Sequence, residues 1–189
     1  MRYIWGPVQE KQLKHLSTLI LGVGNTLLAD EGVGVHMLDY LRGNTAWAEQ
    51  YTLVDGGTLS FTLAPLLEQA GRLVVIDAAR LDAPPGTVRV FEGADMDEFT
   101  GRRGRSVHEV SLGDLLAITH LTETIPSYRA LVGIQPETVA WGHTLSESVQ
   151  QALPRVLRAI ERLLDVWDAA LAQDSLFARF RNRGLFFGG

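Results

Sequence analysis

The sequence predicts an α/β fold: one three-layer α/β/α domain with a twisted, mostly parallel sheet of about five strands flanked by helices. Two observations carry that expectation. Short aliphatic runs alternate along the chain with segments of helical period. The most apolar run, "RLVVIDA" (72–78), reads as a central strand buried on both faces, as parallel sheets require.

In chain order, "STLILGV" (17–23) is the first strand. Gly34, Met37, Leu38 and Leu41 then recur at helical spacing, so 31–42 reads as an amphipathic helix. "YTLVD" (51–55) is the second strand, stopped by Gly56 and Gly57. "LSFTLAPLLEQA" (59–70) reads as a helix that Pro65 shortens or kinks. After the central strand and the turn "APPGT", "VRVF" (88–91) is a further strand. The charged, glycine-bearing stretch 92–107 reads as a long exposed loop.

Ser111 and Asp114 have the spacing of a capping box and start a helix reaching about Ile118. "YRALVGIQ" (128–135) is the last strand. Thr144 and Glu147 suggest a second capping box, opening a long helix with Val149, Leu153, Val156, Leu157, Ile160, Leu163 and Leu164 on its apolar stripe. Pro154 predicts a kink there or a later true start. The domain organisation expected is an N-terminal extension (1–16), one domain (17–168) and an Arg/Phe-rich tail (169–189), read either as a flexible end or as a segment that docks on a partner.

Composition narrows the function. The chain is 46% hydrophobic and carries a formal net charge of −5, which disfavours nucleic acid as a partner. No apolar run approaches the roughly 20 residues that span a bilayer. The N-terminus lacks the apolar core of an export signal, so a cytoplasmic protein is expected. There is no cysteine, so any metal site must use His, Asp and Glu.

The turn "GVGNTLLADEGVG" (22–34) is the most informative stretch. A dinucleotide fingerprint would need a third glycine where Leu27 stands, although Asp55 sits where a ribose-binding acid belongs. Asp30 and Glu31 near the helix start would repel a phosphate. A peptidyl-tRNA hydrolase shares a "G-x-G-N" turn, but continues it with a basic, histidine-bearing stretch that is absent here. A third reading makes the carboxylates the point. Glu31 starts a helix after the first strand, Asp77 ends the central strand, and His108 lies just before the Ser111 helix. From three separated segments they can form an O,O,N metal site with open positions at the sheet's C-terminal edge. The bland alternatives stay open: Glu31 and Asp30 as helix-start acids, Asp77 as a strand-end cap, His108 as a solvated histidine.

The same residues resemble a known family. "GVGNTLLADEGVGV", "VDGGT" (54–58), "VVIDA" (74–78), "PPGTVRVF" (84–91), "VHEVSLGDLLA" (107–117) and "ALVGIQPE" (130–137) resemble, in order and approximate spacing, the nickel–iron hydrogenase maturation endopeptidases. The resemblance spans about residues 17–165. It implies an aspartic-type, nickel-dependent endopeptidase that removes the C-terminal extension of a hydrogenase large-subunit precursor. In that family the nickel arrives with the substrate, held by the substrate's own thiolates, and other divalent ions can take the site. Position by position, the family's metal-contacting residues fall on Glu31, Asp77 and His108, and Asp55, Gly56 and Gly57 match a motif that supports the site. A monomer is expected, with the large-subunit precursor as partner. The runner-up readings are a non-proteolytic maturation chaperone that binds metal or the large subunit, and a nucleotide-binding α/β protein.

Overall fold

A computed structural model describes residues 17–43, 45–102 and 110–182. Its frame is a five-stranded sheet in the order β2-β1-β3-β5-β4. The strands are β1 (Thr18–Val23), β2 (Thr52–Gly57), β3 (Arg72–Ala78), β4 (Val88–Glu92) and β5 (Tyr128–Ile134). All neighbours pair in parallel except β4, which runs antiparallel along β5 at the edge. β3 sits in the middle, as its uninterrupted aliphatic run predicts, with Leu73, Val74, Val75 and Ile76 fully buried.

Alternation along the strands separates two cores. Ile20, Val74, Ile76 and Val132 face one side, where α1 (Val33–Arg42) supplies Met37, Leu38 and Leu41. The last helix, α7 (Leu153–Asn182), packs beside it through Val156, Ile160, Leu163 and Leu164. Leu19, Leu21, Leu73, Val75 and Leu131 face the other side. Leu67 of α3 (Ala64–Gln69), Met96 of α4 (Ala94–Arg102) and Leu115 and Leu116 of α5 (Leu112–Leu121) cover that face. Side chains two apart share a face of a strand, and each face here has its own helical layer. No helix among the described residues is long and apolar enough to cross a membrane.

Several local expectations are revised. The stretch read as a long loop contains α4. Met96 is buried, and Phe99 stacks on Phe91 of β4 with ring centroids 4.1 Å apart, so a sparse apolar face suffices to fold it. Asp97 of α4 holds both Nε and Nη2 of Arg129 on β5, tying the helix to the sheet. A short helix, α2 (Thr45–Gln50), fills the stretch before β2. Gly56 and Gly57 extend β2 rather than stop it.

Pro65 opens α3 instead of breaking it, because the missing N–H costs nothing in a first turn. The second capping box does not form around Thr144. Ser146 caps the short α6 (Glu147–Gln150), and the chain restarts as α7 with Pro154 in its first turn. Helix α7 continues into the Arg/Phe-rich stretch as far as Asn182.

Candidate active site

Strand order places the site. The chain leaves β1 for β2 on one flank and reaches β3 on the other, so the crevice between the C-terminal ends of β1 and β3 is the switch point where open α/β sheets bind ligands. After β1 the chain makes a tight 3₁₀ turn, Ala29–Gly32, that packs against β3 and carries Glu31. Gly24 enters this turn at φ +135°, and a Cβ there would lie 1.8 Å from the carbonyl oxygen of Glu31. The glycine is required by the chain's own backbone. A glycine explained in this way lends the dinucleotide reading no support. Farther on, Gly34 lets α1 press onto the sheet, since a Cβ would come within 2.2 Å of the Ile76 carbonyl oxygen.

The crevice opens into a cleft of about 360 Å³ lined by Val23, Gly24, Glu31, Gly57, Asp77 and the start of α5, among others. Glu31 and Asp77 therefore share one cavity, both partly exposed. Asp77 has the strand parity of Leu73 and Val75, which points it toward the layer containing α5. Leu59 also lines the cleft and holds φ +65°, while Ala29 on the neighbouring turn holds φ +44°. Left-handed backbone at two non-glycine residues costs of order 1–3 kcal/mol each, a strain that concentrates at functional sites.

The first turn of α5 forms the facing wall, and the predicted capping box there is complete. The Asp114 N–H donates to Ser111 Oγ at 3.2 Å, and the Ser111 N–H donates to Asp114 Oδ2 at 3.0 Å. His108 lies outside the described residues; the chain is described again from Val110, which lines the cleft. Among the described residues no group of three His, Cys, Asp or Glu side chains gathers at one point. Of the residues expected to support the site, exposed Asp55 accepts the Gly57 N–H at 2.8 Å. The Gly57 carbonyl in turn accepts the Gly24 N–H at 2.8 Å. This bond latches the end of β2 to the turn after β1, and Gly57 itself lines the cleft.

Asp30, expected to cap its own helix, does something else. Its side chain is fully buried and turns away from the helix start toward the segment 137–146. Oδ2 accepts the N–H groups of Glu137 (2.9 Å) and Thr138 (3.0 Å) and the Ser146 hydroxyl (2.8 Å), and Oδ1 accepts the Ser146 N–H at 2.7 Å. Burial alone would raise its carboxyl, but the bonds from Ser146, Thr138 and Glu137 outweigh it and hold the group below the ordinary aspartate value. No sequence-local signal announces this, because the partners lie 107 to 116 residues downstream.

Comparison with known proteins gives the family. A family model described as hydrogenase maturation protease matches residues 35–163. The chain belongs to the hydrogenase maturation protease family. It is 35% identical over 158 residues to the hydrogenase expression/formation protein HoxM of Azotobacter vinelandii, covering 82% of this chain and 76% of that one. It is 30% identical over 149 residues to the hydrogenase 2 maturation protease of Escherichia coli, covering 75% and 89%. The structure of the hydrogenase maturating endopeptidase HybD from E. coli superposes with a TM-score of 0.68 at 26% identity, over 76% of this chain and 89% of that one. The chain is thus an endopeptidase of hydrogenase maturation.

Proposed function

We propose that Glu31, Asp77 and His108 are the residues of this protease that contact nickel carried by a large-subunit precursor, and that the metal is both the recognition element and the polarising element for cleavage. The observation that supports this most is the shared cleft: Glu31 and Asp77, 46 positions apart in sequence, line one cavity whose far wall begins at Val110. His108 stands two positions before that wall. Two carboxylates and an imidazole complete the coordination of an ion whose other ligands belong to the substrate. A chain without cysteine offers no competing thiolate. Only a loaded precursor gains this binding energy, so the metal acts as a checkpoint.

Hydrolysis then breaks one C–N bond. A water oxygen adds to the scissile carbonyl carbon, one of the two cleft carboxylates takes its proton, and the leaving amine receives a proton as the bond opens. The nickel lowers the barrier by drawing charge from the carbonyl or the water. The reaction takes place where the precursor is assembled, in the cytoplasm.

The test is a gel-shift assay on purified precursor. Glu31→Gln and His108→Ala are expected to abolish shortening of nickel-loaded precursor while retaining the wild-type melting profile. Full processing by both variants would defeat the three-residue assignment. Equal processing of nickel-free precursor would defeat the checkpoint. A purified protein that co-purifies with the precursor and never shortens it would make this chain a chaperone.

A further inference from the structure

We infer that Trp141, with Val139 and Leu27, forms a docking ridge for an apolar patch on the body of the protein substrate, and that Asp30 is the positioning residue that holds this ridge in place. The inference rests on the reading above, in which the substrate's C-terminal segment occupies the cleft.

Trp141 is 83% exposed, Val139 56% and Leu27 44%. An indole so far out of the core forfeits one of the largest apolar burials available to any residue, so its position calls for a partner. The two segments that carry the three are joined through their backbones. Leu27 and Leu28 pair with Gly142: the Gly142 N–H donates to the Leu27 carbonyl at 2.9 Å, and the Ala29 N–H donates to the Gly142 carbonyl at 2.8 Å. The same backbone continues directly into the turn that carries Glu31. Leu27 thus lies between Gly24 and Glu31, two residues that line the cleft, and Gly142 ties Trp141 to that same stretch of backbone. A substrate threading its C-terminal segment into the cleft brings its folded body against whatever borders the mouth.

The chemistry of the rim selects the partner. Residues 138–141 (TVAW) and 25–28 (NTLL) carry no charge, in a chain whose net charge is −5. Recognition there runs on apolar contact, with aromatic anchors such as tryptophan dominating the energy. The ridge is also rigid. Every polar contact that seats segment 137–146 on Asp30 is made before a partner arrives, so little ordering entropy remains to be lost on binding.

The experiment is steady-state processing of full-length, nickel-loaded precursor by the intact chain. It is paired with precursor binding measured in a Glu31→Gln background. Trp141→Ala is expected to raise KM about ten-fold or more with kcat within about two-fold. Trp141→Phe should recover most of the loss. Leu121→Ala, an equally bare apolar residue (85% exposed) at the opposite end of α5 from the cleft, should leave KM unchanged. Asp30→Asn should raise KM as well, and adding Trp141→Ala to it should cost less than the two changes apart, because one variant has already undone what the other removes. In the Glu31→Gln background, Trp141→Ala should weaken binding by the same factor as it raises KM. Wild-type KM and binding in Trp141→Ala would overturn the proposal. So would a fall in kcat at unchanged KM, or a Trp141-dependent dimer in sedimentation with unchanged KM, which would assign the ridge to a second copy. If the reading of the cleft fails instead, Glu31→Gln still cleaves the precursor, an outcome separate from all of these.

Discussion

Asp30 keeps its charge at full burial because four donors surround it, and this makes the acid side of the stability curve informative. Its folded-state value lies below the unfolded value of about 3.9, so the ionised carboxylate stabilises the fold above that pH. The contribution is lost as pH falls through the folded value. Wild-type urea midpoints should therefore drop more steeply between about pH 5 and 3 than those of Asp30→Asn, which has no charge to lose. At neutral pH the same variant should cost roughly 3 kcal/mol, because its amide turns donors toward donors and leaves buried N–H groups unpaired. Urea titrations across that range check both. At this scale the sequence was partly legible. That Glu31 and Asp77 come to line one cleft follows from strand-end logic. What separates Asp30 from Glu31 is invisible locally, since it depends on a segment more than a hundred residues away.

The same contrast runs through the secondary elements. Strands β1, β3 and β5 are legible because sheet burial on both faces demands unbroken aliphatic runs, and these are present. Helix α5 is legible because its cap is local: Ser111 and Asp114 need only each other. Helix α4 is not, because its charge and glycine outweigh a face of a few residues whose value depends on Phe91 and Arg129 of other strands. The α5 cap also borders the cleft, which makes it testable as more than a stability device. Ser111→Ala should cost about 1 kcal/mol. Asp114→Ala should cost a similar amount, and the double variant should fall short of the sum, because either change alone already opens the reciprocal pair. Thermal melts measure the cycle. Processing assays should show activity falling in Ser111→Ala at temperatures where the fold is intact, since the loosened turn is a cleft wall.

For the whole molecule, the long α7 raises the question of where the fold ends and client contact begins. Among the residues whose burial is described, its last buried one is Trp167, which is 3% exposed, packs beside Tyr128 with centroids 5.7 Å apart, and donates its indole N–H to Glu92 at 3.3 Å. Asp168 then closes an ion pair with Arg72, a residue otherwise buried at the start of the central strand and bonded to Thr18. Truncation after Gln173 leaves all of these in place and should preserve the thermal midpoint. Truncation after Leu157 removes Ile160, Leu163, Leu164 and Trp167 from the core beneath β3 and β5. At about 1.5–3 kcal/mol per large side chain, that loss is roughly 6–12 kcal/mol, comparable with the entire stability of a domain of this size. The chain ending at Leu157 should show no cooperative melt, while the chain ending at Gln173 should unfold as the full chain does. Thermal unfolding by circular dichroism distinguishes them. With the fold intact in the Gln173 truncation, a fall in precursor processing measures what the Arg/Phe-rich end contributes to holding the client, independently of stability.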